Sequence, residues 1–149
     1  MNFFELELKK ICDKSRFIDH PKYVSRACVF KLSDDVTGRI EFVKRGTYER
    51  YEAIKISLVN RISGPIDTQF IDLLDVFGKK NVNGFLTDPV IRITNGNIEW
   101  FGFEPLSRDY RKMAEMVDDY LSCFTDKEYI GIGKYRLRLD QDYDWSEKI

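Results

Sequence analysis

The chain's 149 residues suit one domain able to bury about 68–70% of its unfolded surface. A content of 43% hydrophobic and 14% aromatic residues excludes a disordered chain. With 24 Lys and Arg against 25 Asp and Glu, the net charge of −1 excludes any overall steering toward nucleic acid or membrane.

Residues 1–66 carry 13 basic and 9 acidic side chains, and residues 67–149 carry 11 and 16, a hint of opposite-signed faces. Cys12, Cys28 and Cys123 are widely spaced with no C-x-x-C pair, which argues against a disulfide framework and a zinc site. The opening MNFFELELKK has Glu5 and Glu7 among its apolar residues, unlike a signal peptide, and no run of about 18 apolar residues is present to span a membrane. The expectation is a soluble protein of the cytoplasm.

In chain order, Phe4, Leu8 and Ile11 with Lys9, Lys10 and Lys14 opposite predict a short amphipathic first helix, and Pro21 closes that region of the chain. YVSRACVFKLS (23–33) predicts a strand and SDDVTG (33–38) a turn. RIEFVKR (39–45) and RYEAIKISLV (50–59) predict two more strands around Gly46, making an antiparallel meander. SGPID (63–67) is expected to break the sheet and start a helix whose stripe is Ile66, Phe70, Leu73, Leu74 and Phe77, capped by Gly78. NVNGF and TDP mark a loop.

Asn95-Gly96 between two β-prone runs makes 90–103 a hairpin. In 105–124, Tyr110, Met113, Val117, Tyr120, Leu121 and Phe124 form a helical stripe with Ser107 as N-cap, and Met113 and Met116 belong to the core or its edge. GKYRLRLDQDYDW (133–145) alternates as a final strand, with Lys134, Arg136, Arg138, Asp140, Asp142 and Asp144 on one face. The whole reads as a single α+β domain over 1–149, in the order α-βββ-α-ββ-α-β, an antiparallel sheet with helices packed mainly on one face.

Four constellations carry chemistry. D-x-D-x-D at 140–144 opens like a calcium loop, but Trp145 stands where that loop needs Gly and the chain ends before the bidentate Glu. No metal or cofactor is expected. The same acidic tail, Asp140, Asp142, Asp144 and Glu147 interleaved with Tyr143 and Trp145, suits docking on a protein partner, although an amphipathic strand with one wet face needs no partner and is the favoured account.

Lys44, Arg45 and Arg50 beside Tyr48 and Tyr51, enlarged by Arg39, Arg136 and Arg138, form the alternative, a nucleic-acid surface. Glu41, Glu49 and Glu52 cancel the charge locally, which weakens phosphate binding. His20, the one histidine, sits in FIDHPKY as a surface loop residue, and Asp19 beside it is a poor orienter because neighbours in an extended segment diverge. GIGK (131–134) lacks the phosphate-loop spacing and precedes a strand.

No catalytic residue is assigned. The economical expectation is a binding protein that acts by macromolecular contact, an inhibitor, adaptor or accessory protein of the kind phages and mobile elements carry. A small enzyme with a carboxylate-based site stands third.

Overall fold

The computed structural model describes residues 1–46 and 49–125. Helix α1 (Phe3–Cys12) starts at a reciprocal cap: the Asn2 side chain accepts the Glu5 N–H (2.9 Å), and the Glu5 carboxylate accepts the Asn2 N–H (3.3 Å). Its apolar face, Phe4, Leu8, Ile11 and Cys12, is buried against a five-stranded antiparallel meander and against α3 (Ser107–Ser122). The meander runs β1 (Asp19–Val24), β2 (Ala27–Lys31), β3 (Val36–Val43), β5 (Ala53–Asn60) and β6 (Gly64–Asp72), in that spatial order. Across it, Cys28, Ile40 and Ile56 share one row and Phe42, Ile54 and Ile71 another, so one face is continuously apolar. Gly38 lies opposite Phe30, whose ring covers it so closely that a Cβ there would overlap the ring.

The strand β4 (Arg50–Tyr51) joins β9 (Ile91–Thr94) and β10 (Asn97–Trp100) in a second sheet, and α2 (Leu73–Phe77) follows β6. A separate ribbon is made by β7 (Lys80–Val82) and β8 (Phe85–Thr87). The α+β class, the antiparallel pairing and the helices gathered on one face are as the sequence predicts; the expected last strand lies outside the described residues. Among those residues, no helix is long and apolar enough to cross a membrane.

Five local expectations are corrected. The helix expected from SGPID onward is β6 for most of its length, and only Leu73–Phe77 is helical. The spacing of Ile66, Phe70 and Leu73 imitates a helix, but β5 needs a backbone partner along its open edge, and Thr68 and Phe70 suit a strand. Pro65 is tolerated because β6 is an edge strand and the register shifts beside it, between Leu58 and Val59.

The single strand expected at 23–33 is a hairpin, folded at Ser25-Arg26 with φ of 50° and 64°. The run expected as one strand at 50–59 changes sheets at Glu52, whose N–H donates to Val43 C=O (3.0 Å) and whose C=O accepts from Leu73 (2.9 Å). NVNGF is the β7–β8 hairpin, with Asn83 and Gly84 at φ 52° and 87°, the signature that Asn95-Gly96 repeats at 51° and 84°. Ser107 is the first helical residue of α3 rather than its cap; the Asp109 carboxylate accepts the Leu106 N–H instead (2.7 Å).

Met113 is fully buried in α3, and Met116 packs at the edge of the core. Asp118, from the same helix, accepts the Ser15 hydroxyl (2.5 Å) and the Arg16 N–H (2.8 Å), tying α3 to the segment between α1 and β1.

Candidate binding cleft

A residue of α1 that points toward α3 opens the site. The positions 4, 8 and 11 define the buried side of that helix, and Glu7 falls on the same side, only 4% exposed. Burying a carboxylate is costly unless donors surround it. Glu7 Oε1 accepts the Trp100 Nε1–H (2.8 Å) and the Tyr110 hydroxyl, while Oε2 accepts Lys10 Nζ (2.9 Å). Strand β10 supplies Trp100, the first turn of α3 supplies Tyr110, and the next turn of α1 supplies Lys10. Tyr110 is held well above the ordinary phenol range, first by burial and then by its bond to Glu7.

This cluster floors a cleft of about 630 Å³, within the range of small-ligand sites. Phe3, Glu99, Phe103, Glu104 and Leu106 complete its lining. Trp100 and Phe103 (5.5 Å between centroids) continue into Phe77, at 5.7 Å from the first and 5.2 Å from the second. Two of the chain's own ammonium groups lie over these rings: Lys10 Nζ is 5.4 Å from the Tyr110 centroid and Lys80 Nζ 4.9 Å from that of Phe103. Glu99 stands opposite Arg92 across the β9–β10 hairpin, on the strand face away from Trp100.

The β7–β8 ribbon borders the same place. Val82 packs on Gly102, and Lys80 bridges to Phe103, while Phe85 and Leu86 on the outer strand are 73% and 69% exposed. A second hollow, of about 340 Å³, is lined by Arg45, Glu52, Asp72, Asp75 and Asp88. Three of its four carboxylates are already engaged, Asp72 by Arg45, Glu52 by Arg50 and Asp88 by Lys79.

The residues singled out from sequence lie elsewhere. Arg39 meets Glu41 (3.3 Å), Lys44 meets Glu49 (3.0 Å), Arg45 meets Asp72 (3.0 Å) and Arg50 meets Glu52 (3.0 Å). The Tyr51 ring is packed against Phe4 (4.7 Å) and its hydroxyl accepts from Arg26 (3.2 Å), so stacking a base on it would require taking it out of the core. Tyr48, Arg136, Arg138, Asp140, Asp142, Tyr143, Asp144, Trp145 and Glu147 lie outside the described residues.

His20 is far exposed at φ 49°, where the β1 register shifts, and this turns its Nδ1 to within 3.0 Å of Asp19 Oδ2; the divergence expected of neighbours in a regular strand does not apply at that irregularity. Among the described residues, no three His, Cys, Asp or Glu side chains gather as a metal site.

Two cysteines that the sequence separates by fifteen residues meet in the fold. Cys12 and Cys28 are both buried, and the neighbouring Cys28 thiol together with burial raises the Cys12 thiol far above its usual range. The Tyr23 hydroxyl is enclosed beside them with no hydrogen-bond partner.

The cleft residues escaped the sequence reading because they come from three distant stretches. One signal was present: a glutamate at position 7 inside the 4-8-11 stripe is a charge on the core side of a helix. Compared with protein-family models, curated proteins and solved structures, the chain matches none.

Proposed function

We propose that this chain is a small cytoplasmic binding protein that acts by contact on a protein partner, as an inhibitor, adaptor or accessory protein. The observation that carries this reading is the exposed pair Phe85 and Leu86 on a ribbon that flanks a concave acidic cleft. Adjacent residues on a strand point to opposite faces, so a two-stranded ribbon with both side chains bare offers apolar surface on each side. Such surface beside polar groups is the usual composition of a contact patch, with aromatic anchors surrounded by a charged rim. The nucleic-acid alternative is the weaker reading, because the arginines and lysines on which it depends face carboxylates and Tyr51 faces the core.

The test is affinity capture from lysate with and without nuclease, comparing the wild type with a Phe85→Ser/Leu86→Ser variant and a Tyr143→Ala/Trp145→Ala variant. The expected result is one protein retained after nuclease and lost in the ribbon variant, with the folded far-UV spectrum unchanged. Loss in the tail variant alone moves the contact to residues 143–145. A capture abolished by nuclease and indifferent to both variants overturns the proposal in favour of nucleic acid.

A further inference from the structure

We infer that Cys12 and Cys28 are a redox pair, which a hydroperoxide closes into a disulfide between α1 and β2 and a thiol reductant reopens. The inference is independent of what the ribbon or the cleft contacts. Cys12 is the last residue of α1 and only 4% exposed, and Cys28 is fully buried on the core face of β2, in the row that continues through Ile40 and Ile56. Helix α1 packs on β2, which makes the two thiols neighbours inside one apolar cluster. Tyr23 is the cross-strand partner of Cys28 and shares its face of the sheet. Its hydroxyl is enclosed there with no hydrogen-bond partner among the described residues. A single buried cysteine is ordinary core material; two together, beside an unsatisfied hydroxyl, call for a chemical account.

The two thiols are unequal, and this sets the order of events. Cys12 holds the Cys28 thiol below its ordinary value, with burial opposing and the Tyr23 hydroxyl assisting, while Cys12 itself is held far above. Cys28 therefore supplies the thiolate. Its sulfur attacks the outer peroxide oxygen, the O–O bond breaks, and the departing alkoxide takes up a proton, leaving Cys28 as a sulfenic acid. The Cys12 sulfur then displaces that oxygen, which leaves as water carrying the Cys12 proton. Two thiols have lost two electrons, and the hydroperoxide has been reduced to an alcohol and water.

Access comes from the edge of the sheet. Strand β1 pairs on one side only, its register shifts between Asp19 and Lys22, and every residue in it except Tyr23 is exposed. His20 within it, and Ser25 and Arg26 just after it, hold positive φ. An edge of that kind opens locally at low free energy, which admits a small peroxide while the rest of the sheet stays paired. A cross-link that closes and reopens also suits a reducing compartment, where lasting disulfides are rare and transient, redox-sensing ones occur.

The experiment uses the full chain carrying Cys123→Ser, because exposed Cys123 would otherwise join two chains. The folded protein is treated with hydrogen peroxide and quenched, and free thiols, intact mass and tryptic peptides are measured. The expected result is loss of both thiols together with no added oxygen, a monomer on a non-reducing gel, and peptides 11–14 and 27–31 joined until dithiothreitol is added. The thermal midpoint should rise by about 5 °C, because the cross-link restricts the unfolded chain. In a Cys12→Ala variant with an unchanged far-UV spectrum, oxygen should accumulate on Cys28 instead.

Thiols that react only in denaturant, or that gain oxygen without a cross-link, overturn the inference. So does a lowered thermal midpoint, since the bond would then form only by distorting the fold. A Cys12→Ala variant whose Cys28 stays unmodified overturns it as well, because the thiolate then lies elsewhere.

Discussion

Glu5 and Glu7 stand two residues apart on α1, both nearly buried, and the regions they serve differ in kind. Around Glu5 the donors are backbone groups: the Asn2 N–H at the start of the helix and the Arg26 N–H (2.9 Å) at the β1–β2 turn. Around Glu7 the donors are side chains from Lys10, Trp100 and Tyr110, beside open volume. A carboxylate consumed by backbone amides fixes chain geometry, whereas one held by side chains leaves surfaces that another molecule can reach. The lesson is that a buried acid is sorted by its donors rather than by its depth.

Substituting Glu7 should give the largest effect. Glu7→Ala removes the acceptor from two enclosed donors, Trp100 Nε1 and the Tyr110 hydroxyl, and should cost about 3 kcal/mol in denaturant unfolding with an unchanged m-value. A loss below about 1 kcal/mol would mean that water replaces the carboxylate and that the two acids are alike after all.

Glu5→Ala should cost about 2 kcal/mol, from the lost helix cap and the freed Arg26 N–H. The comparison sharpens in the double variant. Arg26 is held at φ 64° without being glycine, its guanidinium lying 5.2 Å from the Phe4 ring centroid and donating to the Tyr51 hydroxyl. Once Glu5 no longer pins the turn, Arg26→Gly should cost less than it does in the wild type, because the guanidinium contacts that it removes are no longer held in place. Equal costs in the two backgrounds would uncouple Glu5 from the turn.

The smallest effect is expected in alkali. Tyr110 and Tyr120 are both raised above the ordinary value of 10.0, first by burial and then by their bonds to Glu7 and Asp67. The fold therefore favours their protonated forms. Their contribution is complete below pH 10 and declines as pH rises above it, since the unfolded chain ionises first. Thermal midpoints should fall from about pH 10 upward, and Tyr110→Phe should flatten that fall. A profile identical in wild type and variant would detach Tyr110 from the carboxylate.

Long, regular features of the fold were legible in the sequence. The stripe of α3 and the Asn95-Gly96 hairpin follow from local periodicity and turn chemistry, and the meander follows from alternating β-branched runs. Where tertiary partners outvoted local spacing, legibility failed. Residues 64–72 read as a helix because only the open edge of β5 makes them a strand, and Ser25-Arg26 read as strand interior because neither residue advertises a positive φ. The cleft was less legible still. Glu7 alone carried a local sign, as a charge on an apolar stripe; Trp100 and Tyr110 looked like ordinary core aromatics until the fold brought them to it.

The strand order of the large sheet has a kinetic consequence. From β1 to β6, neighbours in space are neighbours along the meander, so each pairing closes a short loop and little chain entropy opposes it. The Trp100 and Tyr110 bonds to Glu7 span 93 and 103 residues. Refolding should therefore assemble the meander in a fast early phase and complete the cleft only when α3 docks on α1, so that tryptophan emission lags behind recovery of the strand signal in a stopped-flow experiment.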